Sequence, residues 1–214
     1  GFRLGCLNLV IEKCHLWGPG EYKHISQDRS NMLTAFVHFS PPDQNPKLKS
    51  GNWTIRNITV ENVDHFYMYN NSNGLWHTGQ PLTKVVVDKI RAAGLLKAFY
   101  VSGDSLRQLD LEIHNSSFGF REGSEYKGDR FEGATLSSSD FFHSGTFDRV
   151  LLENVTLSRK GSPGLFSAEN GNELIMKNVR IVTVDNDTPV LNLKNIQRKE
   201  TVKVKGAKIL TELP

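Results

Sequence analysis

The stretch DHFYMYNNSNGLWHTGQP, residues 64–81, groups His65, Tyr67, Tyr69, Trp76 and His77 within thirteen residues, with Asp64 at its head. Rings of this kind offer flat apolar faces with polar rims, which suit stacking on sugar rings. A second stretch, LKAFYVSGDSLRQ at residues 96–108, carries Tyr100, Asp104 and Arg107. A carboxylate beside an Arg can position a sugar hydroxyl or, through a bidentate guanidinium, a substrate carboxylate. Plainer readings stand beside both. Phe66 and Met68 can point inward while Tyr67 and Tyr69 cover a neighbouring loop, and SGDS is strong turn chemistry in which Asp104 caps its own backbone.

Other combinations carry less. The polar excursion EYKHISQDRSN holds His24, Asp28 and Arg29, and SSSDFFHSGTF holds Asp140 and His143. A Ser/His/Asp set written from these letters lacks the Gly-x-Ser-x-Gly elbow that exposes a nucleophile. No His pair has zincin spacing and no acidic loop has EF-hand spacing, so neither a metal nor a cofactor is expected. Hydrolysis of a glycosidic bond needs two carboxylates flanking a groove, about 6.5 to 9.5 Å apart for inversion. Asp64, Asp104, Glu122 and Asp140 are the candidates, with Asp104 and Asp64 the expected catalytic pair. A lyase would use a Lys or Arg base, often with Ca²⁺ acidifying the proton beside a uronate carboxyl. The expected substrate-binding residues are His65, Tyr67, Tyr69, Trp76, His77, Tyr100 and Arg107.

The elements that must hold these residues announce themselves by repetition. In NWTIRNITVENV, apolar residues fall at Trp53 and Ile55, then at Ile58 and Val60, so the alternation slips by one residue at Asn57. The same slip recurs in LVIEKCHL, VVVDKIRA, LEIHNSSF, VLLENVTL, LIMKNVRI and the truncated LNLKNIQ. The third position is apolar in every copy. The fifth is Asn57, Asn115, Asn154, Asn178 and Asn195, with Lys13 and Lys89 as exceptions. Two strand segments of opposite phase joined by polar residues describe a strand that bends while keeping its apolar side chains inside. Asn suits the bend because it tolerates a left-handed backbone and bonds to nearby main chain. Stacked coils bury the apolar face that one coil cannot, and let corner Asn amides bond along the stack. The fifth positions lie 44, 32, 26, 39, 24 and 17 residues apart, so loops of unequal length interrupt a shorter coil of about 20 to 25 residues. Second strands follow the corner at HFYMYN, AFYVSG and GLFSAENG.

This unit, V/I-x-N-V/I-x-V/I, resembles the right-handed parallel β-helix of the pectin-lyase-like superfamily, and is most similar to the polygalacturonase-type glycoside hydrolases of family 28. The resemblance covers nearly all of residues 4–196. It implies an all-β fold, a β-solenoid with irregular loop insertions, together with a secreted protein that binds or cleaves pectin-like or other uronate-containing polysaccharide. The catalytic strings of that family, an Asn-Thr-Asp segment, an Asp-Asp pair, a His-Gly segment and an Arg-Ile-Lys segment, are absent. No catalytic residue is therefore carried over. The chain reads as the C-terminal coils of such an enzyme or as a non-catalytic glycan-binding or structural relative.

Composition narrows the rest. At 214 residues a single domain, 1–214, is the default. With 26 basic against 23 acidic residues and no Lys/Arg stripe interleaved with aromatics, nucleic acid is not an expected partner. No apolar run approaches the roughly 20 residues that span a membrane. Cys14 sits at an inward-facing repeat position, which favours a buried thiol over a disulfide with Cys6. Sequons at Asn52, Asn57, Asn70, Asn115, Asn154 and Asn186 largely coincide with corners, which the ladder already explains.

Overall fold

The computed structural model describes residues 2–18, 34–38, 51–70, 84–103, 109–121, 142–159, 166–182, 191–202 and 209–211. Its strands are β1 (Phe2–Leu4), β2 (Val10–Glu12), β3 (His15–Trp17), β4 (Thr34–His38), β5 (Trp53–Glu61), β6 (His65–Asn70) and β7 (Lys84–Leu95), followed by β8 (Lys97–Ser102), β9 (Leu109–Phe120), β10 (Phe142–Arg159), β11 (Phe166–Val182), β12 (Leu191–Val202) and β13 (Ile209–Thr211). Every pairing is parallel, and all the strands belong to one hydrogen-bonded sheet that curls on itself in the β-helix arrangement. No helix occurs among the described residues, and so none long and apolar enough to cross a membrane.

The register resolves three faces. Face I stacks β1, β4, β6 and β8, then the opening residues of β10, β11 and β12, and finally β13. Face II stacks β2 with the first halves of β5, β7 and β9 and the middles of β10 and β11. Face III stacks β3 with the second halves of β5, β7 and β9 and the ends of β10 and β11.

The corner between faces II and III is the slip seen in the sequence. Lys13, Asn57, Lys89, Asn115, Asn154 and Asn178 all have φ between 49° and 56°. That is the left-handed region, where Asn is tolerated better than most residues and Lys is strained. The amides form the expected ladder: Asn178 donates to Asn154 at 2.8 Å, Asn154 to Asn115 at 3.0 Å, and Asn115 to Asp88 at 2.9 Å, one residue before Lys89. One assignment is corrected. Asn195 does not share this corner; it registers with Asn170 and donates to it at 3.1 Å, between faces I and II. The final unit LNLKNIQ therefore continues FSAENGN, not LIMKNVR. Thr146 is the left-handed residue that registers with Asn170; left-handed Asn8 and Asn52 lie at the register of Glu173, and Asn52 donates to Asn8 at 2.7 Å.

Side chains on alternate positions fill the interior. In β5 the pattern places Trp53, Ile55, Ile58 and Val60 in the core on either side of the exposed pair Arg56 and Asn57. Face I contributes an aromatic ladder in which Phe2, Phe36, Tyr67, Phe99, Phe142 and Phe166 occupy one register position. Phe142 and Phe166 stack with centroids 4.3 Å apart, and Phe66 meets Phe36, Phe99 and Phe118 edge-on at 5.2 to 5.4 Å. Cys14 is half-buried against this core and Cys6 is exposed; both thiols are free.

Candidate functional site

The structure separates the residues expected to form one carbohydrate-binding strip. Trp76, His77, Asp104 and Arg107 lie outside the described residues. Tyr69 belongs to β6 and registers with Val101, a core residue. Tyr67 does not look outward. It stands in the ladder between Phe36 and Phe99, is fully buried, and stacks on Phe99 at 6.0 Å. Its backbone registers with the buried Phe36 and Phe99, and its ring continues their column. Tyr100, the residue after Phe99, registers with Met68, and both are buried. Tyr67 and Tyr100 thus belong to different columns and form no continuous strip.

Asp64 and His65 occupy the turn into β6 and are also buried, at 2% and 1% exposure. Arg121 reaches across two coils, donating from Nη2 to the Asp64 carboxylate and from Nη1 to the Gly94 carbonyl at 3.3 Å. The Asp64 carbonyl accepts from the backbone amides of Leu96 and Lys97 at 3.0 and 2.8 Å. Asp64 is therefore a fixed partner that ties three coils together, and its carboxylate is withdrawn from solvent. The expected catalytic role does not fit that placement, because a reacting carboxylate must reach substrate. Burial, reinforced by the nearby charges of Lys97 and Arg121, pushes the His65 imidazole down to about 3.

The outward-facing chemistry lies on face II. There the side chains opposite the core fall into three columns running across the coils. One column reads Lys84, Asp110, Arg149, Glu173, Arg198, and another reads Glu12, Arg56, Asp88, His114, Glu153, Lys177. The first alternates in sign at every step; the second alternates from Glu12 to Asp88 and from Glu153 to Lys177, with the His114 imidazole between. Ion pairs follow the alternation: Arg56 to Glu12 at 2.7 Å, Arg149 to Glu173 at 3.3 Å, and Arg198 to Glu173 at 3.0 Å. Between the columns sits Glu112, flanked in register by Val86 and Leu151.

Asp110 and Glu112 are two residues apart on β9, so about 6.6 Å separates their backbone positions along the strand. Their environments differ sharply. Glu112 accepts from Lys84 at 3.0 Å and Arg149 at 2.8 Å through one oxygen, and contacts His114 at 3.3 Å through the other. Burial alone would raise its proton affinity, but the bonds from Lys84 and His114 and the charges of Lys84 and Arg149 outweigh it and hold the carboxyl below the usual range. Asp110 has one oxygen 4.0 Å from Lys84 and the other buried with no hydrogen-bond partner. Burial pushes its carboxyl up, against the pull of Lys84 and with help from the neighbouring Glu112 charge. Two nearby carboxyls driven in opposite directions are the arrangement that divides acid from base duties in a hydrolytic pair.

This pair was missed in the sequence, although a signal for it exists. LDLEIHN places Asp110, Glu112 and His114 at alternate positions of one repeat unit, which sends all three to the side opposite Leu111 and Ile113. Among the described residues, no three His, Cys, Asp or Glu side chains gather as a metal site requires. In comparisons with known proteins, no family model, curated protein or solved structure matches the chain.

Proposed function

We propose that this protein is a carbohydrate-active β-helix that meets polysaccharide along the outer side of face II, with Asp110 as general acid and Glu112 as general base of an inverting hydrolysis. The observation that carries the reading is the split between the two carboxyls on β9. Asp110 is pushed towards its protonated form and Glu112 towards its ionised form, two residues apart on one outward-facing strand. Asp110 would protonate the departing glycosidic oxygen while Glu112 takes a proton from the water that attacks the anomeric carbon. A surface built coil upon coil suits an extended polymer. The resemblance of the repeat unit to pectin-lyase-like β-helices supports the same substrate class and an extracellular setting.

Because the columns alternate in sign, face II presents cations paired with carboxylates rather than a cationic groove. The decisive panel therefore contains neutral as well as uronate-containing polysaccharides, assayed for new reducing ends and for unsaturated products. Release of reducing ends by the wild type, lost in both Asp110→Asn and Glu112→Gln, supports the proposal. Unsaturated products would replace hydrolysis by elimination.

A second reading has its own observation: ion pairs link neighbouring coils at β2 with β5, β7 with β9, β9 with β10, β10 with β11 and β11 with β12, as a structural or glycan-binding module would use them. It is favoured if no polymer on the panel is cleaved and the two variants alter only stability.

A further inference from the structure

The side chains around the turn into β6 do not belong to the face II site, and one of them is buried without a hydrogen-bond partner for its ring. His65 is 1% exposed, and neither ring nitrogen has a hydrogen-bond partner. Its register neighbours are Thr34 on β4, whose hydroxyl is likewise buried without a partner, and Lys97 on β8. Asp64 precedes it and is held by Arg121, which follows β9. Among the described residues, the charged groups facing His65 are Lys97 from β8, Arg121 from the end of β9, and the Asp64 carboxylate engaged by Arg121; its register neighbour on β4 is the neutral Thr34. A neutral imidazole can be buried here without a counterion. A charged one would place a further cation beside Lys97 and Arg121, with no acceptor for either N–H among the described residues, and burial without an acceptor is costly.

We propose that His65 is an acid-sensitive wedge: taking up a proton forces open the junction between β6 and β8 while the later coils stay closed. The direction follows from linkage. Once the turn opens, the ring has its ordinary affinity near 6.5, whereas in the closed core it is held at about 3. The open form therefore binds the proton more tightly, and acidification favours it progressively as pH falls from 6.5 towards 3. The opening is local because Asp64, His65, Lys97 and Arg121 join the coils of β5 to β9, while β10 and β11 pair along fourteen residue positions without any of them.

Hydrogen exchange followed by mass spectrometry, on the whole chain from pH 7 to pH 3.5 and corrected for intrinsic exchange, tests this. In the wild type, protection in residues 65–70 and 97–102 should fall at least tenfold on acidification while residues 150–157 and 174–181 keep theirs. His65→Phe, which supplies a ring without a proton site, should keep the β6 and β8 protection at low pH. Simultaneous loss along the whole helix, or the same acid response in His65→Phe, overturns the proposal. Should His65→Phe fail to fold, NMR titration of the wild-type His65 ring decides. Proton uptake coincident with loss of β6 protection supports the wedge, and a ring that titrates in the ordinary histidine range with protection intact overturns it.

Discussion

Asn195 donates its side-chain amide to Asn170 across 3.1 Å, at a different corner of the coil from the one where Asn178 donates to Asn154. Two Asn ladders therefore run along this helix. Both serve the same need: a residue with positive φ at a sharp bend, whose amide can pair with its counterpart one coil away. The ladder Asn are exposed, so their contribution is conformational and cohesive, and not the rescue of a buried polar group.

That distinction sets the first prediction. Asn154→Ala should lower stability by about 1 to 3 kcal/mol, combining the left-handed penalty for an L-residue with loss of its two exposed amide bonds. Asn154→Gly restores conformational freedom and should cost less. Urea unfolding midpoints measure both. Equal losses for Ala and Gly would show that the backbone geometry at φ 56° contributes nothing.

The core gives a second. Leu152 is fully buried and registers with Ile113 and Met176, so Leu152→Ala should cost about 2 to 5 kcal/mol. Tyr67→Phe supplies the residue that Phe36 and Phe99 already present at the same register, and should change stability by less than about 1 kcal/mol. Tyr67→Ala should cost about 3 to 5 kcal/mol. A Tyr67→Ala protein with an unchanged melting temperature would return Tyr67 to the surface.

Gly171 supplies a third. The ring of Phe147, fully buried and its register partner, occupies the space that a Cβ on Gly171 would need. Gly171→Ala should therefore cost about 1 to 3 kcal/mol through overpacking, and a second change, Phe147→Leu, should recover part of it. Additive losses in the double variant would mean that the two residues do not compete for one space.

The repeat made the fold legible, because the slipped alternation dictates both the bend and the side on which Ile55, Ile113 or Leu152 must lie. Parallel pairing followed, since successive coils run the same way. The corner of Asn195 was not legible. LNLKNIQ matches either corner by letter pattern, and only register with FSAENGN distinguishes them. The aromatic cluster misled for a related reason. Phe66, Tyr67 and Met68 are all buried, and polarity gave no cue that the tyrosine would be covered with the phenylalanine. The Asp110 and Glu112 pair escaped notice because charged residues at outward repeat positions read as a solvated face until their neighbours on β7 and β10 are known.

Those neighbours give the last prediction its sign. Glu112 is held below its ordinary 4.5, so it adds stability above that pH and loses it on acidification; Asp110 is held above its ordinary 3.8, so its contribution is present in acid and is lost as pH rises through its raised value. Glu112→Gln should accordingly lower the urea midpoint at pH 7 and converge with the wild type in acid. Asp110→Asn should raise the midpoint at pH 7, because it removes an ionised carboxyl whose buried oxygen has no donor. The functional outcome runs the other way. If Asp110 protonates a leaving group, Asp110→Asn should lower kcat by about 10² to 10⁴-fold on a responsive polysaccharide while binding persists, the signature of a lost acid in a folded site. A variant that is more stable at neutral pH and catalytically dead would place Asp110 at the chemistry. One that is less stable at pH 7 and equally active would show that Asp110 only braces β9 against β7 and β10.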